Sequence, residues 1–296
     1  MKANKNITWQ RNPAASSNLA GLKVAVFGGT GGLGRAISRS LASSGASVTV
    51  VGQTLRDQGV AGIEFVKADL SLMHEAERVA KALPAEQLDL VVFTAGIFAA
   101  PKRQETAEGL ERDMAVSYLS RLVVLREIAP RLGKNRTGQR AKLKPRVFVM
   151  GYPGTGQAGT LGDLNASKSY SAMTVHMNTV AGNEMLVLDA ATRYPHVTFF
   201  GLNPGLIKTN IRDNFLGKDS LKSRFVETLI GWFMPSPEAY AERITPLLTS
   251  PDLETHSGTM FNNKGDAIEA SARLGDRMHV ATFLGESDAL IARALA

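Results

Sequence analysis

Short, nearly continuous apolar runs recur along the chain at 22–27, 47–51, 63–67, 88–93, 146–150 and 197–203, with a shorter one at 258–261. Runs of this length, unbroken by polar alternation, predict strands buried on both faces. Between them the spacing changes to the helical one. Leu33, Ile37 and Leu41 share a face, as do Met73, Ala76, Val79 and Leu83, and later Met177, Val180, Ala181, Met185 and Leu188. A long helix is expected over about 106–132 and another over 237–248. Strands alternating with helices of this length predict an α/β chain built on a parallel sheet wound on both faces. No repeat or second domain boundary interrupts 21–296, so one domain is expected. The first twenty residues, rich in Asn, Ala and Ser, are expected to be a flexible N-terminal arm.

The regular alternation lapses over about 210–237, where an apolar patch including Trp232, Phe233 and Met234 stands in a long excursion. Segments of that kind are usually functional, and an apolar lid over a substrate is the expectation, with a subunit or membrane-surface contact as the other account.

Composition narrows the class. With 44% hydrophobic and 21% charged residues, and no apolar run near the roughly 20 residues that span a bilayer, the chain reads as a soluble cytoplasmic protein. It has no cysteine, which excludes disulfides and thiolate chemistry. The five histidines show no i,i+3 or i,i+4 pairing, so no helical metal site is expected. The net charge of +7 comes from one connection, where Arg131, Lys134, Arg136, Arg140, Lys142, Lys144 and Arg146 occur without an acid. No aromatics interleave them for base stacking, so a solvated loop is expected there rather than a nucleic-acid site.

The candidate chemistry sits at the carboxyl ends of the strands. The first strand runs into Gly28-Gly29-Thr30-Gly31-Gly32-Leu33-Gly34 and then directly into a helix. A helix N-terminus offers unpaired N–H groups and the positive end of its dipole, and glycines let phosphate oxygens approach. Gly28, Gly32 and Gly34 fit one dinucleotide-binding spacing; Gly28, Gly31 and Gly34 fit another. An acid for the ribose hydroxyls of NAD is expected after the second strand. Gln53 and Thr54 stand there instead, and Arg56 with Arg35 suits a 2′-phosphate, so NADP is favoured with NAD possible. Asp69, followed by Leu70, either accepts from an adenine amino group or caps the next helix. Thr94, Ala95 and Gly96 let a cofactor lie against the backbone, and Pro204-Gly205 stops the sixth strand.

These motifs resemble the short-chain dehydrogenase/reductase superfamily over roughly residues 20 to 265. The resemblance is carried by the glycine run, Asp69-Leu70, Thr94-Ala95-Gly96 where the family has Asn-Ala-Gly, and Asn203-Pro204-Gly205 with Thr209. The segment 163–173 is similar to an insertion of the retinol-dehydrogenase-like branch. The resemblance implies a Rossmann-type, doubly wound, seven-stranded parallel sheet, a nicotinamide dinucleotide, hydride transfer at a carbonyl or alcohol carbon, and a possible homo-oligomer; the apolar patch Trp232-Phe233-Met234, read as a lid, is what suggests a small and fairly apolar substrate. It also implies a catalytic tyrosine with a lysine four residues later. Here Tyr118, Tyr152, Tyr170, Tyr194 and Tyr240 are followed at that distance by Leu122, Gly156, Thr174, Thr198 and Ile244. Anchored on Asn183, the family register puts His176 at the tyrosine position, Val180 at the lysine, Tyr152 or Gly151 at the serine and Ser117 at the asparagine. Lys168 is out of register, since Leu164 precedes it where a tyrosine is needed. Two expectations stay open: an oxidoreductase in which His176 and Tyr152 share proton transfer with Ser117 in support, and a nucleotide-binding scaffold without turnover.

Overall fold

The apolar runs pair into one sheet in the computed structural model, which describes residues 1–11, 18–207 and 235–296. Strand β1 (Lys23–Phe27) has β2 (Ser47–Gly52) and then β3 (Ile63–Lys67) on one side. On the other lie β4 (Leu90–Phe93), β5 (Arg146–Met150), β6 (Thr198–Leu202) and β7 (Thr259–Phe261), all parallel. The strand order reverses direction between β1 and β4, which leaves a crevice beyond their carboxyl ends.

The period-two geometry of a strand explains why the central runs are nearly all apolar, while the edge strand β3 carries exposed Glu64 and Lys67. Val24 and Val26 face a core with α1 (Gly32–Ser43) and α6 (Pro237–Thr249), while Ala25 and Phe27 face the opposite core. That second layer holds α2 (Met73–Ala82), α4 (Ser120–Ile128), α5 (Ala172–Arg193) and α7 (Arg277–Ala294). A short α3 (Arg112–Met114) joins α4 through one wide turn, Ala115–Leu119. No described helix is long and apolar enough to cross a membrane.

Four differences from the sequence pattern have physical causes. The sheet of the described residues has eight strands rather than seven, because β8 (Ala267–Ile268) turns back antiparallel on β7 after a tight hairpin; two residues are too few to show a period. The helix expected from 106 begins at Arg112. Thr106 and Leu110 close a turn on themselves, with Gly109 at φ 74°, and Glu111 caps the helix through the Met114 N–H at 2.8 Å. Residues 1–11 are laid along β8 rather than loose: Ala3 bridges Ile268, the Trp9 indole donates to the Gly265 carbonyl at 2.8 Å, and Arg11 pairs with Asp266. This covers a sheet edge that would otherwise be open. The basic connection is only partly solvated, since Arg131 is paired with Glu86 at 2.9 Å, Arg136 with Asp89 at 3.1 Å, and Arg146 donates to the Ser250 carbonyl at 2.6 Å. The expected lid falls almost wholly on residues 208–234, outside the described residues.

Candidate active site

All cofactor candidates named above line one cleft of ≈ 1340 Å³ at the strand ends, apart from Thr209, which lies outside the described residues. His176, Tyr152 and Ser117 line the same cleft. Helix α1 opens into it with Gly31 as its N-cap, no side chain capping its amides and no acid in its first turn. The first-turn amides and the positive dipole end are therefore free for an anion, and the residues present fit the pyrophosphate of a dinucleotide.

The glycines of this turn are not equivalent. Gly28 has φ 90°, and a Cβ there would sit 2.3 Å from the Ala95 nitrogen; one at Gly34 would sit 2.2 Å from Thr94 Oγ1. Both let β1, α1 and the end of β4 interlock, an arrangement tied by Thr94 Oγ1 donating to the Phe27 carbonyl at 2.9 Å. Gly31 differs, because a Cβ there would meet only Arg56 Nη1 at 3.7 Å. A side chain there would meet no backbone.

Charges at this end are arranged differently from the sequence expectation. Arg35, which also lines the cleft, grips Asp57, with Nη2 to Oδ1 at 2.7 Å and Nε to the carboxylate at 3.0 Å. Asp57 is buried by that pairing, while Arg56 makes no ion pair among the described residues. Asp69 is not the cap of α2. Glu108 takes the Met73 N–H at 2.5 Å and the His74 N–H at 3.1 Å, leaving Asp69 at the cleft. Burial works to raise the Asp69 carboxyl, but hydrogen bonds from Ser71 and Gln53 and the charge of Arg112 hold it below the ordinary range.

At the other end, α5 presents His176, Thr179, Val180 and Asn183 to the cleft on one helical stripe. His176 Nδ1 lies 2.8 Å from Oδ2 of Asp113, which is fully buried. Its ring stacks on Phe98 with centroids 4.0 Å apart. A buried carboxylate on one imidazole nitrogen fixes the tautomer and leaves the other nitrogen for proton exchange. Ser117 stands behind this pair: its hydroxyl donates to Asp113 Oδ1 and accepts the Ile97 N–H at 3.0 Å. Tyr152 lines the cleft in a left-handed backbone conformation, φ 134°, that a non-glycine residue rarely adopts. Val180 is buried and uncharged, and Lys168 is exposed in the loop ahead of α5, donating to the Gly162 carbonyl at 3.2 Å. The buried cation at this end is Arg121, which donates to Asn183 Oδ1 at 2.9 Å and to the Met150 and Ala95 carbonyls.

Asp113, Arg121, Glu111 and Asp57 escaped the sequence reading. A signal for two of them was present, because Asp113, Ser117 and Arg121 recur every four residues along one stripe of the helical segment. Nothing local marked Asp57 as a partner of Arg35.

Glu111 makes a prediction of its own. Burial, with Asp113 adding to it against the Met114 N–H, raises its carboxyl from the ordinary 4.5 to about 7. Its contribution to stability is therefore fully present below about pH 4.5 and lost as pH rises through about 7, a span worth on the order of 3 kcal/mol. E111Q keeps an acceptor for the Met114 N–H and removes the ionisation. Urea unfolding at pH 5 and pH 8 is expected to show wild type losing stability across that interval and E111Q losing about 2 to 3 kcal/mol less. Equal losses in both proteins would contradict this.

Comparison with known proteins adds identity to this geometry. A family model described as short chain dehydrogenase matches residues 23–142. An uncharacterized oxidoreductase of Saccharomyces cerevisiae is 51% identical over 298 residues, covering 99% of this chain and 96% of its own. Polyprenol dehydrogenase of Mus musculus is 26% identical, over 82% of this chain and 76% of its own. A solved structure from Mycobacterium paratuberculosis superposes with a TM-score of 0.69 at 19% identity, covering 96% of this chain and 98% of that one, and so shares the fold. With one relative matching at this level from end to end and the dinucleotide half fitting the family's own pattern, the chain belongs to the short-chain dehydrogenase/reductase superfamily, a family of oxidoreductases.

Proposed function

We propose that this protein interconverts a fairly apolar ketone and its alcohol with NADP(H), and that the His176–Asp113 pair exchanges the proton. The observation that carries the reading is the buried carboxylate 2.8 Å from the imidazole in the cleft. The chemistry the cofactor supplies when bound is hydride transfer to or from the substrate carbon. The α1 amides would hold its diphosphate, with Gly31 leaving them accessible. In the reduction His176, as imidazolium, gives its Nε2 proton to the developing alkoxide and is reprotonated from solvent; in the oxidation the neutral ring takes the alcohol proton and releases it to solvent, and in both directions Asp113 on Nδ1 stabilises the imidazolium form. Ser117 holds Asp113. Tyr152, on the wall formed by the loop after β5, orients the substrate oxygen and shares the proton.

NADP is favoured by Arg56, a cation that lies against Gly31 without an ion-pair partner among the described residues. R56A is expected to weaken NADP binding about tenfold, about 1.4 kcal/mol, with NAD binding within twofold of wild type. Calorimetry with both cofactors tests this, and equal losses for the two would remove the 2′-phosphate assignment. The apolar substrate is favoured by Phe98, Met173, Met177 and Leu206 at the cleft, with Met173 54% and Leu206 55% exposed. The name of the mouse relative, polyprenol dehydrogenase, points the same way. Steady-state oxidation of NADPH against a panel of apolar ketones is the direct test. Tight cofactor binding with no turnover on any of them would favour the scaffold reading.

A further inference from the structure

Arg121 is 4% exposed and meets no carboxylate within hydrogen-bond distance among the described residues. Its Nη1 and Nη2 are used on two carbonyls and the Asn183 amide, and its Nε has no partner. Taking a guanidinium out of water costs several kcal/mol unless another charge offsets it. Burial accordingly lowers its pKa, to about 9, and what opposes the burial is attraction to Asp113. It stays charged at neutral pH. The two are also joined through bonds. Asn183 Nδ2 donates to the Ser117 carbonyl at 2.8 Å, the Ser117 hydroxyl donates to Asp113, and Asp113 meets His176. A buried cation at the cleft is thus linked to the imidazole through Asn183, Ser117, whose carbonyl and hydroxyl make successive links, and Asp113. Helix α5, with Val180 facing the cleft, supplies no charge there.

We infer that Arg121 is the positioning cation of this site: through Asn183, Ser117 and Asp113 it holds His176 at the cleft, and its charge sets the proton affinity of the His176–Asp113 pair. The inference rests on the reading of His176 as the proton-exchanging group. Removing a fixed positive charge raises the proton affinity of a coupled pair whichever member holds the proton. The other titratable or charged groups around His176 are Asp113 and Glu111 from α3 and its cap, Arg112 and Tyr152 on the cleft wall, and Arg103 and Tyr170 in the loops beside Glu111. The Glu111 carboxyl, raised to about 7, changes charge within the pH span scanned, so the comparison is made in an E111Q background.

The experiment follows the His176 ring by proton NMR across pH 5 to 9 without cofactor or substrate, the signal being assigned by its loss in H176N. Relative to the E111Q parent, R121M is expected to raise the His176 midpoint by on the order of one pH unit. R121K, which keeps the charge but not the fork, is expected to return it to within about 0.3 unit. R121Q supplies a second route, because it removes the charge while keeping an N–H for Asn183 Oδ1, and the midpoint should again rise. An unchanged midpoint in folded R121M, or in folded R121Q where R121M does not fold, overturns the role of Arg121 and leaves the assignment of His176 intact. A parent in which the ring shows no titration overturns the assignment of His176, and the inference about Arg121 with it.

Discussion

H176A is expected to lower kcat by about 10²- to 10⁴-fold while leaving NADP affinity within threefold of wild type. The size follows from what is removed. A positioned acid–base group is worth that factor in the reaction itself, and His176 lies on α5 rather than on the glycine turn that faces the diphosphate. D113N should fall in the same range for a different reason. Its amide keeps the shape but presents an N–H where Asp113 accepts from Ser117 and from the imidazole, so the wrong tautomer is favoured at His176. The double variant should lose little beyond either single one, because the two residues act as a unit. Steady-state rates with NADPH and the best ketone of the panel decide the matter, and H176A retaining a third or more of wild-type kcat would remove the histidine from the chemistry. Y152F apportions the remainder. A further loss in H176A/Y152F over H176A alone identifies the phenol as the second proton carrier.

The glycines give the second large effect. G28A and G34A are each expected to destabilise the fold by about 3 kcal/mol or more. At Gly28 the added methyl would meet backbone 2.3 Å away at a positive φ; at Gly34 it would meet Thr94 Oγ1 at 2.2 Å and the Gly28 carbonyl at 2.3 Å. Neither neighbour is the loose end of a long side chain, so the β1 turn and the end of β4 must separate. G31A should unfold within about 1 kcal/mol of wild type, since open space lies there, but should weaken cofactor binding at least tenfold by filling the approach to the α1 amides. Urea melts and calorimetry on the three variants separate the outcomes. A G34A protein as stable as wild type would mean the turn is not packed as described.

Much of this protein is written in local pattern. Seven of the eight strands of the described residues, the glycine turn and α1, α2, α5 and α6 follow from runs and periods of a few residues, because burial on two faces or one dictates residue type position by position. The absence of a tyrosine–lysine pair four apart is also a purely linear fact. Cooperation between side chains far apart in sequence is not linear, and there the reading ran short. Nothing near Arg35 in sequence announces that Asp57 will pair with it. Gly28, Gly31 and Gly34 look alike as letters; which of them makes room for the chain and which for a ligand depends on whether Thr94 and Ala95 of a distant strand come within 3 Å. His176 was legible as a candidate from register alone. That a carboxylate 63 residues away lies buried against it, with Arg121 beneath, follows from packing α3 and α4 against α5. Secondary structure answers to nearest-neighbour sterics and burial, whereas a titrating site answers to charge and desolvation in three dimensions, and those exist only once the layers have closed.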